Sequence, residues 1–162
     1  METFKRRKCF SSDKDILAYA IELAKEEMRV ERFTEGFTEP DMVKNYLQME
    51  FVNNDHERES FVVLVLDGQH HLIDSKVLFH GTVNASPVYA REVVKLVLRL
   101  NGSSVIFAHN HPGGSEEPSQ ADIRVTERLK KALELIDVAT LDHFVIAGPD
   151  KPIVSLAERG LI

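Results

Sequence analysis

The stretch SFVVLVL at residues 60–66 is apolar at every position after its serine. A strand presents successive side chains to opposite faces, so a run with no polar alternation must be covered on both sides. That requirement points to a layered α/β arrangement, with the strand ending at a turn near Asp67 and Gly68. The residues that follow supply the covering layers. HHLIDSKVLFHGT reads as the hairpin partner, with Val77 and Phe79 among its β-formers. VYAREVVKLVLRL places Val88, Val93, Leu96, Val97 and Leu100 on a helical stripe, closed by the breaker Asn101 and Gly102. SSVIFAH is a short buried strand, SQADIRVTERLKKALELI a helix and LDHFVIAGPD a strand with its turn. The order β-β-α-β-α-β predicts a mixed central sheet flanked by helices.

Upstream, residues 11–29 offer a capping serine or aspartate and carry Ile16, Ala20, Leu23 and Ala24 at helical spacing. A second helix begins near Pro40, with Met42, Val43, Tyr46 and Leu47 on one face. The polar string VNNDHERE separates both from the sheet. We therefore expect an N-terminal helical extension over 1–41 and a main domain over 42–162.

Bulk properties exclude some functions. At 162 residues the chain is the size of one globular domain, and 26 acidic against 20 basic side chains give no general pull toward nucleic acid. The short basic run Lys5 to Lys8 reads as a solvated tail. The single cysteine, Cys9, rules out an internal disulfide and suits a reducing compartment. No stretch approaches eighteen uncharged apolar residues, so the expectation is a cytoplasmic protein without signal peptide or membrane span.

Chemistry concentrates in AHNHPGGSEEPSQAD. Extended backbone puts residues two apart on one face, so His109 and His111 can aim at one point, and Pro112 favours the extended form of the residue before it. Such a pair is half of a metal site, and catalytic zinc commonly takes three protein ligands and keeps one position for water. Asp122 is the natural third ligand if the loop from Gly113 to Glu117 folds back. Ser119 with Asp122 three residues on is equally a capping box, and one carboxylate oxygen cannot serve both purposes. The alternative for the histidines is hydrogen bonding in a loop beside some other cleft. His143 reads as a satisfied structural histidine, and His56, His70, His71 and His80 as solvated. A hydrolytic metal site also needs a base. Glu59, at the head of the buried strand, is the candidate, against the reading of a hydrated strand-end glutamate; Glu57 and Glu92 remain open by periodicity.

Taken together, ESFVVLVLDGQHHLIDSKVLFHGT, VYAREVV, FAHNHPGGSEEPSQAD, TERLKKALELIDVATLDHFVIAG and SLAERGLI resemble the RadC family, a branch of the JAMM (MPN+) metalloprotease-like domains, over roughly residues 42–162. The resemblance implies a cytidine deaminase-like (JAB/MPN) fold. It makes His109, His111 and Asp122 zinc ligands, Glu59 the general acid/base and Ser119 the hydroxyl that stabilises an oxyanion. The implied activity is zinc-dependent hydrolysis of a peptide or isopeptide bond, with a peptide or protein as substrate. Ala90 stands where the family usually has proline and Gly113 where serine is common, neither among the inferred ligands. The segment before residue 42 lacks the Gly-x-Gly hairpin of the family's helix-hairpin-helix region, so nucleic-acid binding is not supported and the chain resembles the short forms. Two other readings stand beside the hydrolase. One is a non-catalytic, zinc-stabilised module that binds protein or assists DNA metabolism; the other is a metal-dependent phosphodiesterase, disfavoured by the lack of an arginine clamp near the motif.

Overall fold

The computed structural model describes residues 36–52, 58–81 and 88–162, together with 12, 13, 15–17, 19–21 and 23. Its elements are α1 (Pro40–Val52), β1 (Ser60–Leu66), β2 (Leu72–His80), α2 (Ala90–Leu100), β3 (Ser104–Asn110), α3 (Gln120–Glu134), β4 (Ala139–Ile146) and β5 (Val154–Ser155). They form one mixed sheet in the order β2-β1-β3-β4-β5, with β3 and β4 parallel and the other neighbours antiparallel. The chain is thus an α/β protein of the expected kind.

Every residue of β1 is buried, as its composition demands, and its two faces meet different layers. Val62, Leu64 and Leu66 pack with Ile106, Ala108, Phe144 and Ile146 beneath α1, which contributes Val43, Tyr46, Leu47 and Phe51. Phe61, Val63 and Val65 pack with Val105 and Phe107 beneath α2 and α3, through Val93, Leu96, Val97, Leu129 and Leu133. Residue parity therefore decides which helix a strand side chain meets. Odd-numbered His109 falls on the α2/α3 face, beside Phe61.

The breaker after α2 works through two residues. Asn101 takes the left-handed conformation (φ 53°) and its amide bonds back to the helix end, while Gly102 brings the chain against β1. A Cβ on Gly102 would lie 2.2 Å from Cγ1 of Val65, so close approach is what demands glycine there.

Two features depart from the sequence reading. The two-residue β5, pairing with Phe144 and Val145, had no periodic signal to reveal it. At the N-terminus the described residues between 13 and 23 are helical, but Ile16, Ala20 and Leu23 of the apolar stripe expected there are exposed rather than in the core, and Ala24 lies outside the described residues. Lys5 to Lys8, Cys9, His56 and Glu57, all weighed from the sequence, lie outside the described residues. Among the described residues no helix is long and apolar enough to cross a membrane.

Candidate metal centre

Three elements converge where β3 ends. Register places His109 opposite Phe61 of β1 on one side and Val145 of β4 on the other, so the end of β3 is flanked by strands on both edges. The chain stays extended to His111, whose amide donates to the Ile146 carbonyl. A turn then closes with the Gly114 amide donating to the His111 carbonyl, and Gly114 adopts φ +74°. Of the adjacent glycines Gly113 and Gly114, the second is the one whose backbone conformation requires glycine. Lys151 holds the turn by donating to the Gly114 carbonyl. The loop then delivers the first turn of α3, with Asp122, to the same face as His109.

The donor atoms lie close together. Nε2 of His109 is 2.9 Å from Nε2 of His111. Oδ1 of Asp122 is 3.4 Å from His109 Nε2, and Oδ2 is 3.6 Å from His111 Nε2. Three ligands about 2.0–2.2 Å from one tetrahedral ion would have donor atoms about 3.3–3.6 Å apart. Each carboxylate oxygen lies near that spacing from one imidazole nitrogen, and the imidazole pair is a few tenths of an ångström tighter. His109 and Asp122 are buried, at 1% and 3% exposure, and His111 at 15% forms the open side.

Proton positions sharpen the argument. His111 Nδ1 lies 2.8 Å from the Ser115 carbonyl, which can only accept, so that nitrogen carries the proton and the neutral ring turns a lone pair inward at Nε2. Nε2 of His109 faces that lone pair at 2.9 Å, so either a proton on His109 Nε2 or a cation between the rings satisfies it.

The capping box and the imidazole contacts coexist on one carboxylate. Asp122 Oδ2 accepts from the Ser119 amide at 2.6 Å, and the Ser119 hydroxyl oxygen accepts from the Asp122 amide at 3.2 Å. Oδ2 also faces His111, whereas Oδ1 is turned toward His109 and takes no part in the cap. Burial alone would raise the Asp122 pKa, but the imidazoles of His109 and His111 beside it and the hydrogen bond from Ser119 hold it far below the ordinary carboxylate range. In return the hydrogen bond to Asp122 raises His111 above its usual value, against the effect of its own burial.

Glu59 enters from the head of β1. Glu59, His109 and His111 each offer one donor atom, all within 4.8 Å of one another, and this group by itself is able to hold a metal ion. Asp122 lies beside the same histidines, with Oδ1 3.4 Å from His109 Nε2 and Oδ2 3.6 Å from His111 Nε2. A clamp that the sequence did not reveal sets the backbone of Glu59. Buried Asn110 accepts from the Ser60 amide at 2.7 Å and donates to the Arg58 carbonyl at 3.0 Å, gripping the chain on either side of the glutamate. Glu92 lies on α2 and makes an ion pair with Lys95, away from this cluster.

His143 matches its reading as a satisfied structural histidine, with partners on both ring nitrogens. Nε2 is 2.8 Å from His109 Nδ1, and Nδ1 is 2.6 Å from the Thr126 hydroxyl. Complete burial pushes its pKa well down. Neighbouring Asp142 accepts from the Ser155 hydroxyl and the Ala157 amide, tying β5 and the following turn to β4, and burial raises its pKa. Of the remaining histidines, His71 is hydrogen-bonded to Asp67 at the β1–β2 turn and His80 to Ser60, so neither is simply solvated.

The family model for the RadC-like JAB domain matches residues 37–161. A UPF0758 protein of Idiomarina loihiensis is 58% identical over 129 residues, covering 80% of this chain and 56% of that protein. One from Aliivibrio salmonicida is 50% identical over 128 residues, covering 79% of this chain and 55% of its own. A shorter UPF0758 protein of Vibrio cholerae is 47% identical over 150 residues, covering 91% of this chain and 89% of its own. The chain thus spans little more than half the length of the first two relatives.

Proposed function

Because the chain belongs to the RadC-like JAB domain family, we propose that it is a zinc-dependent hydrolase of the JAMM type that cleaves an amide bond, peptide or isopeptide, in a protein or peptide substrate. The observation that carries this reading is the convergence of His109 Nε2 and His111 Nε2, 2.9 Å apart, with the carboxylates of Glu59 and Asp122 beside them. Two imidazoles and a carboxylate are a donor set that suits zinc. When bound, zinc at such a site supplies a Lewis acid that acidifies water and polarises a carbonyl.

The protein's own groups would perform the rest. Glu59 offers a carboxylate oxygen within 4.8 Å of a nitrogen on each histidine, a span that a water can bridge. It takes the proton of the attacking water and returns it to the departing nitrogen, so that the C–N bond breaks with a neutral amine leaving. The Ser119 oxygen already accepts from the Asp122 amide, which leaves its own proton to donate to the carbonyl oxygen as negative charge grows there. Residues 42–162 are the catalytic unit in this reading and 1–41 a helical extension. The single cysteine suits a cytoplasmic setting.

The test is metal content of protein purified without added zinc or chelator, compared with a His109→Ala plus His111→Ala variant whose folding is checked by circular dichroism. About one zinc per chain, lost in the folded variant, supports the site, and peptide cleavage abolished by Glu59→Gln supports turnover. A wild-type protein that takes up no metal even when zinc is supplied overturns the proposal.

A further inference from the structure

Beneath the metal centre a chain of hydrogen bonds runs from α3 through β4 to β3, and its polarity follows from one fixed point. The Asp122 carbonyl can only accept, so the Thr126 hydroxyl, 2.7 Å away, spends its single proton there. Toward His143 the same oxygen is then an acceptor, which places a proton on His143 Nδ1 at 2.6 Å. The His143 ring is buried, with Phe61 and Phe107 edge-on at centroid distances of 5.4 and 5.9 Å, surroundings that hold an imidazole neutral. A neutral ring protonated at Nδ1 has an accepting Nε2. That nitrogen lies 2.8 Å from His109 Nδ1, which must therefore be the donor. His109 is left with its lone pair at Nε2, the atom facing His111 and Asp122.

From this order we infer that Thr126 and His143 are positioning residues that set the tautomer of His109 and thereby present Nε2 as a metal-ligating lone pair. Neither touches the metal position itself. The inference rests on the metal-site reading above, but the tautomer can be measured without metal. Loss of the Thr126 hydroxyl would remove the fixed point. His143 Nδ1 would then face a methyl group, where a bare lone pair is less costly than an orphaned N–H. The chain would reverse: the proton moves to His143 Nε2, His109 Nδ1 becomes the acceptor, and an N–H at His109 Nε2 points into the site. Partners of this kind commonly change metal affinity by about 10- to 100-fold.

Two substitutions separate this role from packing. Thr126→Val keeps the shape and removes the hydroxyl, whereas Thr126→Ser keeps the hydroxyl and removes a methyl group. Long-range proton–nitrogen correlation spectra of the nitrogen-15-labelled full chain, taken without metal well above the ordinary imidazole pKa of about 6.5, report which nitrogen of His109 carries the proton. Zinc affinity of each protein is measured by competition with a chromophoric chelator. The expected result is protonated Nδ1 in wild type and Thr126→Ser with similar affinities, and in Thr126→Val a shift toward protonated Nε2 with affinity lower by about 10- to 100-fold. Protonated Nε2 in the wild type, or a Thr126→Val protein with wild-type tautomer and affinity, would overturn the inference. A wild-type protein showing protonated Nδ1 but no zinc binding would uphold the tautomer assignment while refuting the metal reading and, with it, the ligating role inferred for Nε2.

Discussion

Asn110→Ala tests whether the head of β1, and with it Glu59, is held by one buried amide. In the wild type the Asn110 side chain accepts from the Ser60 amide at 2.7 Å and donates to the Arg58 carbonyl at 3.0 Å. Truncation orphans both groups, but unequally. Arg58 is exposed, so water replaces the lost donor at its carbonyl, whereas Ser60 is buried and its amide stays unpaired. An unsatisfied buried donor costs about 1–3 kcal/mol, and the small void left by the missing amide group adds to it. At about 2–4 °C per kcal/mol for a chain of this size, melting should fall by about 2–12 °C. Thermal unfolding followed by circular dichroism reads that shift, and amide hydrogen exchange locates it, with Ser60 losing protection first. Zinc affinity should change little, because Asn110 offers no ligand, while any Glu59-dependent turnover should drop as the base loses its fixed position. An unchanged melting temperature with Ser60 as protected as before would refute the clamp.

Gly102→Ala should destabilise by about 1–3 kcal/mol, because its Cβ would lie 2.2 Å from Val65 in a packed core; chemical denaturation measures this, and a neutral result would contradict the close approach of α2's end to β1. In metal-free protein, His111 is raised by Asp122 and so contributes stability that is full below its unfolded pKa of about 6.5 and is lost as pH rises through the higher folded value. Asp122 is lowered, so its contribution is present above about 3.9 and is lost only in strong acid. Melting of the metal-free protein should therefore decline as pH rises above neutrality, and Asp122→Asn should flatten that decline; a rise in the wild type would reverse the assignment. Glu59→Gln should retain zinc at wild-type stoichiometry while losing turnover, and loss of zinc instead would make Glu59 the ligand in place of Asp122.

Local patterns along the chain account for a good deal of this protein. The unbroken apolar run of β1 required helices on both faces, and α1 with α2 and α3 provides them. The S-x-x-D pattern announced the start of α3, and the H-x-H spacing at the end of a strand announced two imidazoles on one face. These are features of period and cap, which depend on neighbours a few residues away. Tertiary structure decided the rest. Asp122 serves as cap and as candidate ligand because its side chain is held between a helix end and two imidazoles, with Oδ2 in the cap and Oδ1 turned toward His109 outside it. Thr126, read along the chain, is an ordinary residue in an amphipathic helix, and Asn110 an ordinary residue between two histidines. Their roles depend on partners 17, 50 and 52 positions away in the chain. Such contacts arise only when sheet register and helix packing bring those positions together, and the polarity of a hydrogen-bond chain is settled by its fixed acceptor, a carbonyl whose place no sequence pattern records.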